Sequence, residues 1–149
     1  MTLRMLQFLA ILVSALALIP SGAHLAALPN KIGMAQADYF TAQGIYSGWA
    51  ILGWLWPLAF ATNAGLAVAS RAQHWPFWSA VLASFCYVLM LAIFLIWTQP
   101  ANQATQNWTV IPESWETLRL GWEYSHAVNA VIAVLALGLT AISALSWRE

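Results

Sequence analysis

Glu123 and His126 stand three residues apart, and Arg119 precedes Glu123 by four. On a helix these steps put all three side chains on one face. The chemistry available to such a set is proton transfer. An imidazole titrates near neutral pH and serves as a general base. In that reading His126 takes a proton from a bound molecule, Glu123 orients it and Arg119 stabilises the resulting anion. A second imidazole, His24, lies at the far end of the first apolar run. Two histidines and a carboxylate also form the ligand set of a mononuclear iron site. The E-x-x-H spacing occurs once, whereas di-iron bundles need two copies and two further Glu residues. The set is sparse and not closed, so a metal is not the expectation. The plainer alternative is an Arg119–Glu123 surface pair with His126 hydrogen-bonded at the interface.

The same face carries Trp115, Trp122 and Asn129, at helical steps from Arg119 and His126. It is expected to point into the mouth of a bundle toward His24, Asn30 and Asn102. A floor near Trp54 and Trp56 completes the expected cavity. His24, Asn30, Asn102, Trp54, Trp115 and Trp122 are thus candidate ligand contacts, around a flat apolar aromatic molecule. Packing and interface anchoring are the ordinary roles of the tryptophans.

Positioning these residues falls to a membrane bundle. The chain has 149 residues, 62% hydrophobic and 7% charged, where a soluble domain carries about 25% charged residues. The protein is therefore expected in a lipid bilayer. Its formal net charge of +0 gives no support to nucleic-acid binding. Cys86 is single and reads as a small packing residue. Gly-rich phosphate loops, serine elbows and C-x-x-C pairs are absent from the sequence.

Apolar runs over about 5–27, 46–70, 77–98 and 126–147 predict four spans. The first could instead be a signal peptide ending at Ser21-Gly22-Ala23, and the uncleaved helix is the expectation. Residues from Pro29 through Asp38 read as a polar loop. Pro57 predicts a kink, and Pro112 a helix start. The fold class is all-α, a single-domain, integral membrane up-down-up-down four-helix bundle, with a polar outer loop or short helix before the fourth span. Arg4, Arg71 and Arg148 mark one side, which the positive-inside rule makes cytoplasmic. Both termini then lie in the cytoplasm of a multi-pass cell-membrane protein, with the bacterial inner membrane as the expected location and the polar loops outside.

The run Gln99-Pro100-Ala101-Asn102, followed by Pro112, Trp115, Leu118, Arg119, Trp122, Glu123 and His126, resembles the anthrone oxygenase-like family of small four-span membrane proteins. That pattern is P-x-N, then P-x-x-W-x-x-L-R-x-x-W-E-x-x-H. The stretches HLAALPNKI and YFTAQGIYSGW are similar to a bacterial branch of the family. Most members have no known function. The resemblance implies oxidation of anthrones to anthraquinones by dioxygen without metal or organic cofactor. Members often carry Arg three residues after the His, where this chain has Asn129. The expected function is an oxidoreductase acting on a flat phenolic or quinone-like molecule. The alternative is a non-catalytic accessory or ligand-binding membrane protein.

Overall fold

The computed structural model describes residues 2–148, which form helices and turns and, among the described residues, no strand. Helix α1 spans Leu3–Lys31, α2 Gln36–Gln43, α3 Leu55–Ala69, α4 His74–Ile93, α5 Gln99–Ala104 and α6 Trp115–Leu145. A 3₁₀ stretch, Trp49–Trp54, leads into α3, and a π-helical stretch, Phe94–Thr98, joins α4 to α5. Four helical segments are long and apolar enough to cross a membrane: Leu3–Lys31, Trp49–Ala69, His74–Ala104 and Trp115–Leu145. Helix α1 packs on α3 and α6, and α4 packs on the same two, closing a ring of four neighbours. Short connections make successive spans antiparallel.

The middle of the ring is built from small residues. Ala10, Ala17, Ala59, Ala80, Ala83, Ala133 and Ala136 are fully buried, while Phe8, Phe85, Val131 and Leu135 face outward. In a bilayer, lipid tails compete with apolar side chains, so close backbone approach through small residues is what holds helices together. One satisfied polar layer crosses this core. Asn63 Nδ2 donates to Ser14 Oγ at 3.2 Å, and the Thr140 hydroxyl donates to Asn63 Oδ1 at 2.8 Å.

Several local expectations change. Lys31 is not in a loop: α1 runs through Pro20 and Pro29 and ends on it. Pro57 lies two residues past the point where the 3₁₀ stretch Trp49–Trp54 gives way to the α-helical Leu55–Ala69, so the change of helix type falls beside it. Helix α6 begins at Trp115, and the Pro112 carbonyl caps the preceding turn by accepting from Trp115 N at 3.1 Å. At 31 residues α6 is ~46 Å long at ~1.5 Å per residue, longer than a ~30 Å bilayer core. Its first turns therefore stand beyond the core of the bilayer. They meet the end of α1, α2, the 44–54 segment and α5, while the chain termini gather at the opposite end, where Gln7 Nε2 donates to the Ala144 carbonyl and Gln73 Nε2 to that of Arg148.

Candidate functional site

His24 and Lys31 lie seven residues apart on α1, two turns along one face, and both are buried. Glu123 and His126 answer them from α6. The His24 and His126 rings lie 4.1 Å apart between centroids, tilted by 33°. Trp122 meets both, its ring 4.8 Å from His24 and 4.3 Å from His126. Tyr46 and Trp49 close the other side of His24 at 4.2 and 5.9 Å. The backbone reaches that position through Gly48, whose φ of +83° is left-handed and open to glycine without strain.

One level outward lies a buried ion pair. Lys31 Nζ stands 2.7 Å from Glu123 Oε1, with side-chain exposures of 4% and 0%. Tyr39, on α2, donates its hydroxyl to the same carboxylate oxygen at 2.9 Å. Gln43 Nε2 donates to Tyr39 Oη at 2.8 Å, and Lys31 donates to Gln43 Oε1 at 3.1 Å. The ammonium also rests 4.5 Å from the Tyr46 ring centre and 4.8 Å from that of Trp122. Burial, followed by the charge of Glu123, raises the Tyr39 phenol far above its ordinary value, so it stays a donor. The same two causes raise Tyr46.

The sequence-derived candidates divide. His24, His126, Trp122 and Asn102 come together, the last accepting from Trp122 Nε1 at 2.8 Å. Glu123 stands one level outward, bonded to Lys31 and Tyr39 and so not orienting His126. Trp115 lies one layer out, packed with Tyr39 and Phe40. Arg119 is a correction: it does not pair with Glu123. Its guanidinium donates to the Met34 carbonyl at 2.8 Å and lies 4.6 Å from the Trp115 ring centre. Lys31 reaches Glu123 first because it ends α1 on the inner face of the bundle. Trp54 is a second correction: it is 75% exposed and belongs to no floor, because the 3₁₀ stretch turns it outward while Trp56 packs inward. Asn30 is a third, exposed one residue before Lys31 and rotated off its face. Among the described residues, no three His, Cys, Asp or Glu side chains converge as a metal set.

Lys31, Tyr39, Gln43 and Tyr46 escaped the sequence reading. The seven-residue step from His24 to Lys31 was the available signal, hidden by Pro29 and Asn30 between them.

The fold and this buried charge cluster define a multi-pass helical membrane protein with a polar site at one end of the bundle. Set against family models, curated proteins and solved structures, the chain matches none.

Proposed function

We propose that this protein is an oxidoreductase that acts in the bilayer on a flat, phenolic or anthrone-like molecule. The observation that carries the reading is the contact between His24, which is buried, and His126, which is half-buried, against the rings of Tyr46, Trp49 and Trp122. Paired imidazoles are bases, and the surrounding rings suit a planar apolar guest. The motif from Asn102 to His126 that resembles the anthrone oxygenase-like family supplies two of these residues, Trp122 and His126. The proton acceptor is His126, backed by His24. The Lys31 ammonium, held by Glu123 two turns outward, lends only a long-range positive field to the anion that deprotonation leaves. Dioxygen then adds to the ring anion, and loss of water yields the quinone, so that anthrone and O₂ give anthraquinone and H₂O. Arg119 acts as a positioning residue, holding Met34 and Trp115.

The test is oxygen uptake and quinone absorbance with purified protein and anthrone in detergent. Turnover above a protein-free blank is expected, with His126→Ala slower by about 10²–10⁴-fold, the usual share of a general base. Folded protein that gives no turnover would overturn this reading. A second reading then takes over, that of an accessory or ligand-binding membrane protein. It is favoured by the Lys31–Glu123–Tyr39–Gln43 network, which ties α2 to α1 and α6 as a purely structural clamp would.

The orientation belongs to the same proposal. Arg4, Arg71 and Arg148 sit at the end that gathers the termini, against Lys31, matched by Glu123, and Arg119 at the other. By the positive-inside rule the termini are cytoplasmic and the site opens outward, toward the periplasm of a bacterial cell.

A further inference from the structure

The bundle contains two polar layers, and they differ. In the Ser14–Asn63–Thr140 layer the three side chains bond one another. In the layer beneath the histidine pair they do not. Helices α1 and α6 run antiparallel, so Ser21 lies one turn inward from His24, and Asn129 one turn inward from His126. Contact between the two rings puts Ser21 and Asn129 at one level. Both are buried, at 1% and 0% exposure. Asn129 commits its Nδ2 to the Met90 carbonyl at 3.3 Å. Its Oδ1, Ser21 Oγ and both imidazole Nδ1 atoms meet no protein partner. Trp56 Nε1, on a ring packed with Ala17 and Ala133 a further turn in, is likewise unmatched. Buried polar atoms are ordinarily paired, because leaving one unpaired costs the desolvation of that group. Ser21 Oγ and Asn129 Oδ1 at one level, with unmatched imidazole nitrogens a turn outward and the Trp56 N–H a turn inward, leave a short column of polar atoms that a guest's hydroxyl would complete.

The donor and acceptor inventory limits that guest. Asn129 Oδ1 can only accept, so the guest must donate. A quinone carbonyl or a methyl ether cannot. A hydroxyl can, and it can also accept from Ser21 or Trp56. We infer that the Ser21–Asn129 layer is the head-group subsite for the hydroxyl of a flat aromatic alcohol, and that it selects phenols over their ethers and quinones. This rests on the function proposed above and names the group that the histidine pair would deprotonate.

The probes are tritiated 1-naphthol and 1-methoxynaphthalene. They are titrated onto immobilised protein in nanodiscs by scintillation proximity, with empty nanodiscs as the blank. Wild-type protein is expected to favour the naphthol by about tenfold, the scale of one or two neutral hydrogen bonds. Asn129→Leu should bring the ratio close to one, and Ser21→Ala should narrow it. Asn63→Leu, in the other polar layer, should leave it unchanged. Equal wild-type affinities, or a preference that survives both Asn129→Leu and Ser21→Ala, would overturn the subsite. Anthrone turnover is measured separately, so protein that oxidises anthrone yet shows no hydroxyl preference rejects the subsite alone. Should Asn129→Leu fail to fold, Ser21→Ala and Asn129→Asp decide: a preference unmoved in both rejects it.

Discussion

Lys31 and Glu123 are each almost wholly withdrawn from solvent, and each compensates the other. Removing one partner strands the second as a buried charge, a loss of about 3–5 kcal/mol. Lys31→Met is therefore expected to lower the thermal midpoint in detergent sharply. The double variant Lys31→Met with Glu123→Leu should recover most of it, since apolar replacements of matched volume are close to neutral at such sites. A double variant no better than the single would show that the pair itself stabilises the bundle. Arg119→Leu should cost less, because its guanidinium meets a neutral carbonyl and a ring and leaves no stranded charge.

At the scale of elements, α2 is held mainly through Tyr39, which bonds Glu123 and accepts from Gln43 while packing against Trp108 and Trp115. The folded state keeps the Tyr39 phenol protonated far into alkali, whereas an unfolded tyrosine ionises near ~10. Above that pH the unfolded chain has lost a proton that the native chain retains, so stability falls as pH rises. Melting curves should show a loss above pH ~10 that is smaller in Tyr39→Phe. That variant should also be less stable at neutral pH, by about 1–3 kcal/mol, since Glu123 loses a donor. Equal alkaline slopes for the two proteins would contradict the burial of Tyr39. The loop before α6 adds a second device. Gln106, Asn107 and Trp108 all have positive φ, of 47°, 56° and 65°. Such backbone is strained outside glycine, and the buried Trp108 ring, packed on Tyr39 and Trp122, is what holds it. Composition and apolar run length made the four helices legible in the sequence. Local chemistry was less so: the proline rules pointed to a break at Pro29, but neighbouring helices carry α1 through it, whereas the helix entering the second span does change type beside Pro57. The α6 half of the site was readable because its steps are helical. The α1 and α2 half was not, because Lys31 and Tyr39 take their meaning only from tertiary contact with Glu123.

For the whole molecule, one end is a basic rim around the termini and the other is a capped, aromatic site. A cysteine at exposed Asn107 should react with an impermeant thiol reagent added outside intact cells, and labelling only after lysis would reverse the assigned orientation. Lys31 follows His24 by seven positions, and Glu123 and His126 meet them from an antiparallel partner. Such a site is tied to residue count. One extra residue between His24 and Lys31 turns the ammonium by ~100° about the axis of α1 and away from Glu123. The exposed stretch around Val110 and Ile111 carries no such constraint. Lineages descended from this chain are therefore free to lengthen or shorten before Pro112, while a single codon gained or lost within the last two turns of α1 would dismantle the site.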